Sequence, residues 1–460
     1  MHGLNQTSVL PISSSRSVLL EWENSDLPEA PSAPRNLQET GLPLAFLADL
    51  VLRTLLTRGS MLGLELARFL CLPFRCLEEV LAFLKKEKCI EVTAGDLIGE
   101  VSYRFSLTDM GRERARDAMK LCSYVGPAPV PLLDYVEQTY RQAVTGIRCT
   151  PEALREAFSH LVVPEELFRA LGPAIVSGKS LFIYGPPGNG KTSIARAIGE
   201  FLNHSGGAIY VPYAFFAENS IITVYDPTIH QRVDDDSSRG AEDAEATVRR
   251  LLNHNVLDAR WVKVRRPVVI TGGELTLEML DLRYNAEGNY YQAPLHVKAN
   301  GGVFLIDDFG RQLVSPRELL NRWILPLEDR HDFLTLASGQ KFEVPFEELV
   351  IFSTNLDPRD LVDDAFLRRI RHKLAIDAPS REVYEKIFEL QCKRLGMNFC
   401  PEAVDYLYEH YYSRGRSPRA SDCRDLLEIV QAICRFRKQP VHLTKDLIAE
   451  AAATFICEFN

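Results

Sequence analysis

An eight-residue stretch, Gly185-Pro-Pro-Gly-Asn-Gly-Lys191-Thr192, places the tightest constraint on how this 460-residue chain can fold. Its G-x-x-x-x-G-K-T spacing is that of a phosphate-binding P-loop, which requires a strand before it and a helix after it. The apolar run 180–184 precedes the loop, and residues 193–202 follow it with apolar side chains at helical spacing. The stretch therefore predicts an α/β P-loop domain whose first strand ends at a phosphate site.

Each residue type in the loop has a physical reason. The glycines let backbone N–H groups close around phosphate oxygens, and the following helix points its positive end at them. Lys191 is expected to reach the β- and γ-phosphates, and Thr192 to hold Mg²⁺. The predicted phosphate-binding residues are Gly185, Pro186, Pro187, Gly188, Asn189, Gly190, Lys191, Thr192 and Ser193.

A second motif supplies carboxylates. The segment Gly301–Gly310 is an apolar strand that ends in Asp307 and Asp308. Hydrolysis of a nucleotide needs a metal-holding acid on a neighbouring strand and a group that orients water. We expect Asp307 to contact Mg²⁺, through water, and Asp308 to polarise the attacking water.

Composition sets outer limits on the class of protein. Apolar residues make up 46% and charged residues 25% of the chain, as in ordinary folded proteins. The net charge of −9 argues against a surface that coats nucleic acid generally, although a local basic patch is compatible with it. The ten cysteines form no C-x-x-C pair, which argues against a zinc ribbon or redox motif. No apolar run spans a bilayer and no signal pattern begins the chain, so we expect a cytoplasmic protein without membrane insertion.

With these motifs in order, residues 150–460 resemble the AAA+ ATPase superfamily. Three further segments fit that family's sequence of motifs. Leu349–Asn355 is similar to sensor 1, 365–371 to the arginine-finger region, and 416–421 to sensor 2. The resemblance implies that Asn355 contacts the γ-phosphate or attacking water. It also implies that Arg419 reaches back to the γ-phosphate.

The same resemblance implies an assembly. Arg368 and Arg369 would project into the ATP site of a neighbouring subunit, which implies a homo-oligomer, in this family a hexameric ring. Val162 and Val163 stand where family members contact adenine. One departure is notable: the second acid is usually Glu and here is Asp308, one methylene shorter, which predicts slower hydrolysis or a tighter pocket.

Two other features bear on placement within the family. Apolar residues on both sides of Ser338-Gly339 predict a β-hairpin before sensor 1, a layout similar to MoxR-type AAA+ proteins. The second core strand is expected near Ala208–Tyr213. Tyr290 and Tyr291 could form a mobile loop that grips a polypeptide in a ring pore, but packing against the core is the favoured interpretation.

The N-terminal part resembles a winged-helix domain, with three helices, a two-stranded wing and a further helix. Its expected recognition helix, Phe74–Lys86, carries Glu78 and Glu79, and the wing carries Asp96 and Glu100. Because acids repel phosphate, a protein-docking role is favoured over DNA binding. The predicted segments are a leader (1–38), the winged-helix-like domain (39–122), a Pro-rich linker and helix (123–149), the AAA+ core (150–378) and a helical lid (379–460).

Three functions are compatible with these observations. The first is an oligomeric, Mg²⁺-dependent ATPase that binds ATP and ADP and remodels a protein client. The second is a regulator tethered to DNA through its winged-helix domain. The third, suggested by Asp308, is a nucleotide-gated scaffold with little turnover.

Overall fold

The computed structural model describes residues 28–94, 100–233, 257–361 and 367–456. The predicted wing residue Asp96 and the beginning of the arginine-finger segment lie outside these residues, as does most of the predicted leader. The described α-helices are Leu44–Arg58, Gly63–Leu70, Phe74–Lys86, Asp109–Leu121, Leu132–Arg141, Pro151–Ala157, Glu165–Ser177, Lys191–Gly206, Leu295–Ala299, Pro316–Arg322, Ile324–Asp329, Pro358–Leu361, Arg381–Leu395, Pro401–His410, Ala420–Phe436 and Lys445–Phe455.

Short strands alternate with these helices. They are β1 Met61–Leu62, β2 Ile90–Ala94, β3 Arg104–Leu107, β4 Val130–Pro131, β5 Leu181–Tyr184, β6 Ile209–Pro212, β7 Ala214–Ala217, β8 Ser220–Thr223, β9 Trp261–Val264, β10 Val268–Thr271, β11 Arg283–Asn285, β12 Tyr290–Gln292, β13 Val303–Ile306, β14 His331–Thr335, β15 Lys341–Pro345, β16 Leu349–Thr354 and β17 His372–Ala375. Among the described helices, none is both long enough and apolar enough to cross a membrane.

Five strands form an all-parallel central sheet in the order β10-β13-β16-β5-β17. Parallel strands are normally buried on both faces, and this sheet follows the rule. Leu181 and Ile183 of β5 pack on the side of the helix Lys191–Gly206, hereafter the P-loop helix. Phe182 packs on the opposite side with Trp323. The predicted α/β P-loop NTPase fold class is therefore confirmed, and a helical C-terminal part follows it.

The position of the second core strand was predicted wrongly. Ile209–Pro212 lies outside the five-stranded sheet and pairs antiparallel with β9. The edge strand beside β13 is instead β10, Val268–Thr271. Both segments are short, apolar and β-branched, so their local pattern cannot say which one joins the central sheet.

The P-loop helix ends against a buried arginine. Arg266 is 4% exposed, and its guanidinium donates to the carbonyl oxygens of Gln142, Gly206 and Gly301. Burial lowers the pKa of Arg266 to about 9. Because Gly206 closes the helix, the arginine stabilises the negative end of the helix dipole, whose positive end faces the P-loop.

The predicted hairpin before sensor 1 is present as β14 and β15, which pair antiparallel from His331–Pro345 to Thr335–Lys341. The favoured interpretation of the tyrosine pair is also confirmed. Tyr291 is 7% exposed on β12, and its hydroxyl accepts from the Ala337 amide. Tyr290 meets the ring of Tyr124 edge-on.

The N-terminal unit consists of helices around a three-stranded antiparallel sheet ordered β1-β3-β2. Its apolar cluster includes Ala214 and Ile221 from β7 and β8, so it is packed against the rest of the chain. A buried ion pair reinforces this contact. Arg260 binds the Asp258 carboxylate with its Nε and Nη2, and its Nη1 donates to the carbonyls of Thr40 and Pro129.

A buried glutamate lies at the amino end of β16. Glu348 is fully buried, and neither carboxyl oxygen accepts a hydrogen bond from another residue in the described part of the chain. Burial raises the pKa of Glu348 well above its ordinary value of 4.5, and the nearby Arg330 guanidinium offsets only part of this effect. That guanidinium is already paired with Glu347.

Replacing this carboxyl should change how stability depends on pH. Between the ordinary and the raised pKa, the unfolded chain is ionised at Glu348 while the folded chain holds a proton, so rising pH favours unfolding. Glu348→Gln should match the wild type near pH 5 and exceed its stability at pH 8 by about 1–3 kcal/mol. Thermal melting from pH 5 to 8 measures the difference, with exposed Glu278→Gln as the control. A wild-type-to-variant difference that is constant across this range would contradict the assignment.

Candidate functional site

Three of the predicted motifs meet at one edge of the central sheet. In a parallel sheet all strands end on the same side, and here the P-loop follows β5, the two acids follow β13, and Asn355 follows β16. Because β16 lies between β13 and β5, the strand order puts Asn355 between the acids and the P-loop.

Lys191 is at the centre of this edge and is only 7% exposed. Its ammonium donates to the carbonyl oxygens of Gly185 and Pro186, each at 2.9 Å, and to Asn355 Oδ1 at 2.7 Å. Burial lowers the pKa of Lys191, while Asp307 and Asp308 act in the opposite direction. The ammonium is thus held inside the loop by three oxygens, and an entering phosphate would compete with them.

Thr192 and Asp307 form the predicted metal position. The Thr192 hydroxyl donates to Asp307 Oδ2 at 2.7 Å. A hydroxyl and a carboxylate are oxygen ligands of the kind that Mg²⁺ prefers, and Mg²⁺ at nucleotide sites typically takes few protein ligands and several from phosphate and water. The described residues contain no cluster of three or more His, Cys, Asp or Glu suited to a metal.

Asp308 is held by both its backbone and its side chain. Asn355 Nδ2 donates to Asp308 Oδ1 at 2.8 Å, so Asn355 bridges Lys191 and Asp308. Asp308 has φ of 49°, in the left-handed region, which Asp and Asn tolerate better than longer side chains. This conformation gives a local reason for an Asp at position 308 in place of the longer Glu. The Gln312 amide secures the turn by donating to the carbonyls of Asp307 and Asp308.

Positive φ angles favour glycine at three loop positions, and close contacts add to this requirement at two of them. Gly185, Gly188 and Gly190 have φ of 136°, 83° and 82°. A Cβ on Gly185 would lie 2.2 Å from the Ile376 carbonyl oxygen, and one on Gly188 would lie 2.5 Å from Ser421 Oγ. The P-loop is therefore pressed against the residues after β17 and against the C-terminal helices.

These contacts add Asp377, which no motif indicated, and join the P-loop directly to Ala420 and Ser421 of the segment 416–421. Asn189 Nδ2 donates to the Asp377 carbonyl at 3.2 Å, and Asn189 Oδ1 accepts from the Ala420 amide at 3.2 Å. The Ser421 amide donates to the Gly188 carbonyl at 2.8 Å. The sequence signal for these contacts is the lack of a capping residue. The helix Ala420–Phe436 has Arg419 at its N-cap position, where an oxygen-bearing residue is usual.

The predicted arginines have different surroundings. Arg419 is exposed beside the P-loop, with its Cβ 3.5 Å from the place a Cβ on Gly188 would take. Arg369 is tied within its own chain, since its Nε lies 2.5 Å from Glu328 Oε1. Arg368 is exposed and forms no ion pair with the described residues. Of the two predicted arginine fingers, Arg368 is the one whose side chain can extend toward a neighbouring chain without breaking an ion pair seen in its own.

The remaining predicted residues lie nearby or at the surface. Pro186, Pro187 and Ser193 are exposed. Val162 and Val163 are half-buried in the loop before the helix Glu165–Ser177, and Val163 packs on the cluster that surrounds the P-loop helix. A cavity of about 580 Å³ lies elsewhere, along the P-loop helix and away from all of the predicted site residues.

Two segments of the chain match a known protein family and a known protein. Residues 380–454 match a family model described as a domain of unknown function (DUF8689). A segment of 94 residues is 37% identical to the vesicle-fusing ATPase of Dictyostelium discoideum and covers 19% of this chain and 12% of that protein. The chain thus spans about an eighth of the length of this curated relative.

Several solved structures resemble the chain loosely. NtrX from Brucella abortus in complex with ADP is 17% identical, with TM-score 0.39, over 74% of this chain and 66% of that one. A mutant form of RuvB from Thermotoga maritima is 14% identical, with TM-score 0.35, over 67% and 71%. Domain III of DnaA from T. maritima has the same identity and TM-score over 68% and 100%. At TM-scores this low the matches do not support a fold assignment, which rests instead on the strand order and the P-loop.

Proposed function

We propose that this protein is an AAA+ ATPase that binds ATP with Mg²⁺ and hydrolyses its terminal phosphoanhydride bond. The observation that carries the proposal is the continuous chain of contacts from Lys191 through Asn355 to Asp308, beside the Thr192–Asp307 pair. A P-loop alone binds phosphate, whereas this set also offers oxygen ligands for a metal and an acid held by Asn355 beside the loop. The match to a vesicle-fusing ATPase agrees with this chemistry.

Each residue has a defined task in this mechanism. The P-loop backbone and Lys191 would bind the phosphates, and Thr192 and Asp307 would hold Mg²⁺, which would supply positive charge against the phosphate oxygens. Asp308 accepts a proton from the attacking water, and Asn355 orients the Asp308 carboxylate. Arg419, at the start of its helix and beside the P-loop, would bind the γ-phosphate. Val162 and Val163 contact the adenine.

The site is completed, in this proposal, by a second copy of the chain. Arg368 is exposed, whereas Arg369 is held by Glu328, so we assign the trans-acting charge to Arg368. An arginine supplied to a phosphoryl-transfer site raises turnover by roughly 10³–10⁵. A ring-shaped homo-oligomer, hexameric in the resembling family, is the assembly that presents one such arginine to every site.

We further propose that the energy of hydrolysis remodels a protein client. The N-terminal unit then serves as a docking module in a cytoplasmic ATPase. The exposed face of its helix Phe74–Lys86 mixes Glu78 and Glu79 with Lys85 and Lys86, which suits a protein partner better than a phosphate backbone. DNA tethering is the less supported alternative, and salt-dependent DNA binding would favour it.

Asp308→Asn should separate binding from turnover. The amide keeps the shape of the side chain but cannot accept a proton from water. We expect nucleotide affinity within about twofold of wild type and turnover lower by roughly 10²–10⁴. Titration with a fluorescent ATP analogue and a phosphate-release assay measure the two quantities, with exposed Asp329→Asn as the control. Unchanged turnover would exclude the assigned role. A wild type that binds ATP without turnover would support the nucleotide-gated scaffold.

Arg368→Ala should abolish turnover in the assembled protein while leaving ATP binding intact, because the finger acts on the neighbouring subunit. Mixing it with a Lys191→Ala chain should restore part of the activity, since each variant then supplies what the other lacks. Arg369→Ala should chiefly lower thermal stability through loss of the Glu328 pair. A monomer that hydrolyses ATP as fast as the assembly would contradict this arrangement.

A protein arrested before hydrolysis should retain its client. Asp308→Asn, loaded with ATP and recovered through an affinity tag, is expected to carry a protein partner that Lys191→Ala does not carry, because the latter cannot bind nucleotide. Mass spectrometry of the two eluates, with and without nuclease treatment, makes the comparison. Recovery of DNA in place of a protein would support the alternative.

A further inference from the structure

The side chain of Asn189 joins three parts of the chain. Asn189 lies in the P-loop and is 8% exposed. Its Nδ2 donates to the carbonyl of Asp377, in the segment between β17 and the helix Arg381–Leu395. Its Oδ1 accepts from the amide of Ala420, the first residue of the helix Ala420–Phe436. One amide therefore connects the P-loop to the segment after β17 and to the C-terminal helices.

The P-loop also caps that helix. The first backbone amides of an α-helix have no partner within it, and a side chain at the N-cap usually accepts from one of them. Here Arg419 occupies the N-cap position and gives no side-chain cap. The first two helical amides bind the P-loop instead, Ala420 to Asn189 Oδ1 and Ser421 to the Gly188 carbonyl. The start of this helix is thus fixed by the loop that is expected to hold phosphate.

The chemistry at position 189 requires an amide. Asp377 presents a carbonyl and needs a donor, whereas Ala420 presents an N–H and needs an acceptor. Asn supplies both from one short side chain, and an Asp at this position would lose the bond to Asp377 while keeping the acceptor. The rule of the P-loop motif leaves this position open, so its identity here is explained by these two contacts rather than by phosphate binding.

From these contacts we infer that Asn189 is a positioning residue that couples nucleotide occupancy of the P-loop to the placement of Arg419 and the C-terminal helices. The inference rests on the proposed nucleotide-binding function. The start of the helix Ala420–Phe436 can move away from the P-loop only if the Ala420–Asn189 and Ser421–Gly188 bonds break. Asn189 therefore slows release of bound nucleotide and acts on turnover only through Arg419.

The first test needs no nucleotide. In hydrogen–deuterium exchange of the full-length protein, Asn189→Ala should speed exchange of the Ala420 amide by about five- to tenfold, since one hydrogen bond is lost. Asn189→Asp should leave that amide protected, because a carboxylate still accepts from it. The exposed amide variant Gln439→Ala is the matched control and should behave as wild type. Equal exchange of Ala420 in wild type and Asn189→Ala overturns the inference.

The second test uses mant-ADP with Mg²⁺. Asn189→Ala should release this probe about five- to tenfold faster than wild type and Gln439→Ala. Its KM for ATP should rise by a larger factor than its kcat falls, a split that general misfolding would not produce. Unchanged release in Asn189→Ala overturns the inference. If the wild type binds no mant-ADP, the proposed nucleotide function fails, and the exchange experiment still decides whether Asn189 fixes the helix.

Discussion

The site depends on the alignment of three neighbouring parallel strands. Because β5, β16 and β13 run in the same direction, the residues that follow them meet at one edge. The middle strand brings Asn355 into contact with Lys191 on one side and Asp308 on the other. An exchange of β16 with either neighbour would move Asn355 out from between the ammonium and the acid, although every motif would remain in the sequence. The fully buried Ile351 and Phe352, which pack on opposite faces of β16, help to hold this order.

Much of this edge could be predicted from the sequence because its determinants are local. A glycine loop between an apolar strand and a helix, and two acids after a buried strand, are recognisable within about ten residues. The position of Asn355 also follows from its place at a strand end. The assignment of residues 39–122 to a winged-helix class and the domain boundaries stay predictions.

The contacts that the sequence did not indicate are long-range. Asn189 reaches Asp377 and Ala420, which are 188 and 231 residues away in the chain. Asn189 was predicted only as part of the phosphate-binding loop, and nothing near it in the sequence indicates that its side chain binds distant backbone groups. The exchange of roles between β6 and β10 has a similar cause, since pairing partners are chosen by tertiary packing rather than by the strand's own pattern. The left-handed backbone conformation of Asp308 could not be predicted from the sequence either, although the presence of Asp rather than Glu is compatible with it.

The buried Arg260 bears on how this protein can be divided. Two of its acceptors are backbone carbonyls, contributed by Thr40 at the start of the N-terminal unit and by Pro129 in the segment that follows it. A fragment that lacks the residues before position 125 would keep the guanidinium and Asp258 but lose the Thr40 carbonyl, along with the apolar cover over Ala214 and Ile221. Such a fragment would expose a new apolar surface and would differ from the intact protein in solubility as well as in what it binds. Point substitutions on the outer surface of the N-terminal unit are therefore the better way to separate its role from that of the nucleotide site.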